Sequence, residues 1–116
     1  MSKHIVTRTF IAEKLGNPDP NYVMHFIARA LVVLLKRQTT DEQAAAITNH
    51  TNFRGFSQSD AKSGTLCAKY YLKHGRLEMW MVRAWTQNWK GQPRIAKYWK
   101  QLDEEAQSKA ALKVAA

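Results

Sequence analysis

YVMHFIARALVVLLKR, residues 22–37, places Val23, Phe26, Ile27, Ala30, Leu31 and Leu34 at i, i+3, i+4 and i+7 positions. That spacing puts the hydrocarbon on one face of a helix and requires a partner to cover it. Pro20 falls in the first turn, where its missing N–H costs nothing. The apolar run from Tyr22 to Leu35 is interrupted by His25 and Arg29. It is shorter than the roughly 20 apolar residues a membrane-spanning helix needs.

The surrounding sequence reads in the same way. Thr40-Asp-Glu-Gln43 has capping-box form and predicts a separate short helix to about residue 50. Ser57-Gln-Ser-Asp60 repeats that form before a helix over 58–74, which Gly75 can end in the left-handed conformation. A further helix is predicted over 77–90, stopped by Gly91, and Pro93 opens a last one that runs through about residue 105. Residues 106–116 read as a frayed tail. HIVTRTFIA, within the segment 1–15, suits a strand as well as a helix, and a helix is favoured there. The expected architecture is all-α: a compact single-domain bundle of about five helices spanning residues 1–116.

The 116 residues allow one modest core, and an apolar fraction of 45% argues against disorder. The net charge of +9 predicts attraction to a polyanion. Most of it falls within residues 59–100, which hold nine basic and two acidic residues. The single cysteine, Cys67, excludes an internal disulfide. With no signal-peptide pattern at the start, these features point to a cytoplasmic protein.

RLEMWMVRAWTQNWKGQPRIAKYWK, residues 76–100, contains all four tryptophans and six basic residues against one acid, Glu78. On the helix predicted over 77–90, Arg76, Trp80, Arg83, Gln87 and Lys90 make one cationic stripe with a ring in it. Leu77, Met81, Ala84 and Asn88 make the core face, with Trp85 on its flank. Trp85, Trp89 and Trp99 are expected in the core, Trp85 and Trp89 as i, i+4 partners. Trp80 is the ring open to a ligand.

On the last helix Ile95, Trp99 and Leu102 form the apolar face, while Arg94, Lys97 and Gln101 form a polar one beside Tyr98. Over 58–74, Lys62, Lys69 and Lys73 share one side, and Ala61, Leu66, Ala68, Tyr70 and Leu72 are core candidates. Cys67 reads as a buried small hydrophobe. In NFRGF, residues 52–56, Gly55 permits an unusual backbone and Phe56 pins the loop.

The candidate nucleic-acid contacts are therefore Arg54, Lys62, Lys69, Lys73, Arg76, Trp80 and Arg83, with Lys90, Arg94 and Lys97. Cations displace condensed counterions from phosphates, and a ring among them can stack on a base. Helix N-termini near Ser57 and Pro93 offer further phosphate donors beside Arg54 and Arg94.

From Lys36 onward the chain resembles a small domain of uncharacterised phage and plasmid proteins, sometimes attached to helicase-like proteins. The residues that carry the resemblance are Arg37-Gln-Thr-Thr-Asp-Glu-Gln43, Asn52-Phe-Arg-Gly-Phe56, Asp60-Ala61 and Ala96-Lys-Tyr-Trp-Lys-Gln-Leu102. They extend over about the last two-thirds of the chain. Phe53 stands where the pattern has glycine, and the tryptophan-rich middle is peculiar to this chain. The resemblance implies a mobile-element setting and nucleic-acid business, and it supplies no catalytic residues.

His4, His25, His50 and His74 are dispersed, with no metal-ligand spacing, and the acids do not converge as a metal-dependent nuclease requires. No metal, cofactor or enzymatic activity is expected. The leading function is a small basic nucleic-acid-binding protein, a phage or mobile-element accessory factor touching mainly phosphates. The alternative is a phage-encoded interaction factor or inhibitor that docks on an acidic face of a host protein. Membrane-surface binding through helix 77–90 ranks third, and a homodimer is compatible with each.

Overall fold

The computed structural model describes residues 4–48, 55–57, 59–89 and 92–115, with side chains at 4–38, 55–57, 59–87 and 93–109. The stretch 22–37 does what its spacing demands. Ile27, Leu31 and Leu34 are fully buried, Val23 and Ala30 nearly so, and Phe26 packs against them. They belong to α2 (Pro20–Thr48). Asp19 caps it by accepting the Asn21 N–H at 3.0 Å, and Pro20 holds the first helical position. The described residues form an all-α fold in which α2 packs against α1 (Arg8–Leu15), α3 (Ala61–His74), α4 (Met79–Thr86) and α5 (Trp99–Ala115).

Helix α2 is longer than the sequence reading allowed, because it does not break at Thr40. A capping box acts only where the backbone has already left the helix. Nothing between Lys36 and Gln43 forces that exit. Once nucleated, a helix gains one hydrogen bond per added residue, and the following alanines favour it. Helix α5 likewise runs to Ala115, past the predicted fraying at 106. The N-terminal helix starts only at Arg8, where Thr7 caps it by accepting the Phe10 N–H at 3.1 Å.

Helix α3 begins three residues later than predicted. The Ser57 hydroxyl and N–H are both engaged with the Tyr98 hydroxyl, so Ser57 does not cap. Its buried face is Gly64, Cys67 and Ala68, small residues that let it lie close to α2. The His25 ring and the Tyr71 hydroxyl bridge α2 and α3 at 3.0 Å. Leu66 and Leu72, read as core, are instead exposed, because the small-residue face and not the leucines meets α2. Gly75 ends α3 at φ 72°, the left-handed conformation predicted for it.

Helix α4 is shorter than 77–90 at both ends. The Glu78 carboxylate takes the Tyr70 hydroxyl at 2.7 Å, and the Thr86 hydroxyl bonds back to the Val82 carbonyl at 3.1 Å. Beyond it β1 (Asn88–Trp89) and β2 (Gln92–Pro93) pair antiparallel, with Trp89 opposite Gln92. Trp85 and Trp89 are therefore not partners on one helix. A 3-10 helix, Arg94–Tyr98, leads directly into α5.

The loop before α3 is held from both sides. Gly55 adopts φ 89°, and a Cβ there would lie 2.5 Å from Cβ of Gln38. The Gly55 N–H donates to Oε1 of Gln101 at 2.7 Å, and Nε2 of Gln101 donates to the Gly55 carbonyl at 3.0 Å. Phe56 is buried against Trp85 and Tyr98. Its ring also covers Gly64 so closely that a Cβ there would fall 2.3 Å from the ring.

Gly64→Ala is expected to lower stability by about 2 kcal/mol through overpacking, despite the better helix propensity of alanine. Urea denaturation of this variant and of Gly64→Ala/Phe56→Leu checks it. The second substitution should recover part of the loss if the ring is the obstacle.

Candidate nucleic-acid interface

The ten residues expected to touch nucleic acid separate into three groups. Arg54 and Lys90 lie outside the described residues. Arg94 and Lys97 turn inward. Lys62, Lys69, Lys73, Arg76, Trp80 and Arg83 are exposed.

The inward pair is drawn by Asp60, which is only 2% exposed. Oδ1 of Asp60 accepts from Arg94 Nε at 3.1 Å and Nη2 at 2.5 Å. Oδ2 accepts from the Tyr98 hydroxyl at 2.5 Å and lies 2.6 Å from Nζ of Lys97. All three partners come from one short 3-10 helix, whose three-residue period brings Arg94 and Lys97 to the same side, with Tyr98 next to Lys97. Arg94 also stacks over the Trp85 ring, 4.5 Å from its centre.

Burial alone would push the Asp60 carboxyl up. The hydrogen bonds from Lys97, Tyr98 and Arg94, with the Lys97 charge, outweigh it and hold the group below the ordinary aspartate value. The same exchange pushes the Tyr98 hydroxyl up to about 12, through burial first and then its bond to Asp60.

A second buried carboxylate, Asp103, straps the N-terminal segment to α5. It accepts from the N–H groups of Ile5 at 2.7 Å and Val6 at 2.9 Å. The His4 ring at 2.7 Å and Nε2 of Gln107 at 2.8 Å complete its shell. Burial raises it, and bonds from Val6, His4, Ile5 and Gln107 lower it further than burial raises it.

Neither predicted phosphate-binding helix end survives this arrangement. Asp60 sits at the cap position of α3 with its buried carboxylate turned to Arg94, Lys97 and Tyr98, which puts a negative charge where a phosphate was expected. The Arg94 N–H at the start of the 3-10 helix donates to the Gln87 carbonyl at 3.0 Å.

The outward group is differently placed. Lys62, Leu66, Lys69 and Lys73 recur along the water-facing side of α3, and Trp80 and Arg83 lie on that of α4, with Gln87 exposed just past its end. The two faces meet at the corner between the helices, where residues 72–76 and 78–80 are all exposed. Lys62, Lys69, Lys73, Arg76 and Arg83 form no ion pair among the described residues. Glu78 is the acid at this corner, and it already accepts the Tyr70 hydroxyl.

Trp80 is 54% exposed, as the stripe predicted, whereas Trp85 is fully buried and Trp99 partly so. Leu66, Leu72 and Met79 join Trp80 on these faces, and the sequence reading had assigned none of the three to the surface. Helical spacing alone held the signal for Leu66, which continues the row of Lys62, Lys69 and Lys73.

The residues that carry the sequence resemblance collect elsewhere. Gly55, Phe56, Asp60, Tyr98 and Gln101 make the interior assembly described above, so they act in packing and not on this face. Among the described residues no cluster of three histidine, cysteine or acidic side chains could hold a metal ion. No helix there is long and apolar enough to cross a membrane.

Asp60→Asn is expected to cost about 2 kcal/mol at neutral pH, since it weakens charge-assisted bonds to Arg94 and Lys97. The folded carboxyl titrates below its unfolded value of about 3.9, so its contribution is complete above that value. It is lost as pH falls through the folded pKa. The gap between wild type and Asp60→Asn should therefore narrow at about pH 3, and urea midpoints at both pH values check it. For Tyr98 the sign reverses. Its raised pKa adds stability that is full below the ordinary tyrosine value, about 10, and is lost as pH rises through about 12. Tyrosinate absorbance should show a late-titrating group that is missing in Tyr98→Phe.

Comparison with family models, with curated proteins and with solved structures found no match for this chain.

Proposed function

We propose that this chain is a small nucleic-acid-binding protein that grips mainly the phosphate backbone through the outer faces of α3 and α4. One observation carries the reading: five exposed cations, Lys62, Lys69, Lys73, Arg76 and Arg83, have no carboxylate partner among the described residues. Solvated faces ordinarily interleave both signs, whereas here the five cations stand against one exposed acid, Glu78. Arg94 and Lys97 meet Asp60, and Arg37 meets Glu104 at 3.1 Å. The unpaired set repels itself and gains most by displacing counterions from a polyanion. The sequence resemblance supports a phage or plasmid setting, in which the protein would serve as an accessory factor inside the cell.

A second reading is favoured by Leu66, Leu72 and Met79. Apolar side chains among cations also suit an acidic face of a host protein or nucleic-acid-processing complex, with Trp80 as the anchor. A nucleic acid needs the charges first, whereas a protein partner needs the apolar groups equally. Substitutions of the two kinds therefore separate the readings.

Fluorescence anisotropy with a labelled oligonucleotide, across several salt concentrations, tests the proposal. Lys73→Glu, Arg76→Glu and Arg83→Glu should each weaken binding and flatten the salt slope by about one. Lys109→Glu, on the far part of α5, should change little. Equal affinity in all four variants would remove this face from nucleic-acid binding. Loss only in Leu72→Ser and Met79→Ser would favour the protein partner.

A further inference from the structure

We infer that the ligand of the α3–α4 face is single-stranded DNA, with an unstacked base seated on Trp80; the inference rests on the nucleic-acid reading of that face. Each of the other described tryptophans is already engaged. Trp85 lies under the Arg94 guanidinium and beside Phe56, and Trp99 meets the His4 ring edge-on and the Lys100 ammonium. Trp80 has no ring, cation–π or hydrogen-bond contact with any described side chain, although Arg76 and Arg83 sit one turn either side of it in the sequence. Its ring is therefore open to a ligand.

The exposed side chains of α3 and α4 match an unstacked base better than a duplex. Met79 and Leu72 are both 62% exposed and Leu66 is 54% exposed, so the cations are set among hydrocarbon. A duplex keeps its base faces stacked inside and presents phosphates and sugars. Reaching a base in it would require unstacking, at a cost of a few kcal/mol per step. A single strand offers its base faces already free, to stack on Trp80 or lie against the leucines and methionine while its phosphates meet the cations.

Duplex readout in the major groove uses a row of amide or guanidinium side chains on one helix face. Helix α4 is only eight residues long and its exposed residues are Met79, Trp80 and Arg83, with Gln87 just past its end, which leaves little of that chemistry. A protein distinguishes RNA through its 2′-hydroxyl. The exposed acceptors here are the Gln87 amide, the His74 ring packed on Tyr70 and a Glu78 carboxylate already bonded to Tyr70, so the face shows no feature that selects for that group.

The experiment is anisotropy titration of the full chain with a labelled oligothymidine strand of about 20 nucleotides, a duplex of the same length, and oligouridine. The same titrations are run on Trp80→Ala, Trp80→Phe and Arg83→Glu. The strand should bind more tightly than the duplex, and its binding should quench tryptophan fluorescence. Trp80→Ala should lose affinity for the strand by on the order of tenfold and keep its affinity for the duplex. Trp80→Phe should recover most of that loss, since a phenyl ring also stacks, and circular dichroism should show every variant folded. If strand and duplex bind alike and Trp80→Ala is neutral while Arg83→Glu still weakens both, the single-strand inference falls and the phosphate reading stands. Tighter binding of oligouridine would overturn the assignment to DNA. No binding by wild type at low salt would overturn both.

Discussion

The buried carboxylate of Asp60 constrains the rest of the molecule. Taking an ionised aspartate out of water costs several kcal/mol unless charge and hydrogen bonds replace its hydration. Here the replacement comes wholly from Arg94, Lys97 and Tyr98, on the short 3-10 helix at the head of α5. The start of α3 is thereby tied to the start of α5 across more than thirty residues of chain. Trp85 is enclosed between the Arg94 guanidinium and Phe56, and Phe56 in turn sits on Gly64 of α3. The loop through Gly55 reaches this position because Gln101 bonds both polar atoms of its peptide backbone. One electrostatic requirement and one ring therefore set how α3, α4 and α5 meet.

That requirement also divides the charge. A dense run of cations near the end of a basic chain could face water as a block. Instead the fold draws Arg94 and Lys97 inward, where their charge offsets a buried acid, and leaves Lys69, Lys73, Arg76 and Arg83 outside without partners. The tryptophans divide in the same way. Trp85 is at the centre, Trp99 lies under the N-terminal strap beside His4, and Trp80 faces outward. Rings and charge share one stretch of sequence because that stretch serves two purposes. Its inward residues complete the core, and its outward residues form the face proposed to hold a strand.

Much of the fold was legible because it rests on local rules. The face of α2, the Pro20 start, the left-handed Gly75 and the buried Cys67 each follow from spacing or backbone conformation within a few residues. The exposure of Trp80 was legible in part for the same reason, since Arg83 shares its helical face, although Arg76 precedes α4 and the stripe is shorter than its spacing predicts. Leu66 and Leu72 were misassigned because hydrophobicity does not reveal which side of α3 meets α2. That choice belongs to Gly64, Cys67 and Ala68, whose small size permits close packing.

The sequence by itself determined the helical class, the first turn and buried face of α2, and the excess of positive charge in residues 59–100. All of these depend on neighbours within about two turns of chain. Only the tertiary structure decided that Thr40 would not begin a helix and that α4 would stop at Thr86. It also decided which cations remained available at the surface. Arg94 and Arg83 look alike in the sequence, each one basic residue among apolar ones. The difference is Asp60, thirty-four positions from Arg94, whose carboxylate could be buried only by recruiting the cations that the fold brought within 3 Å.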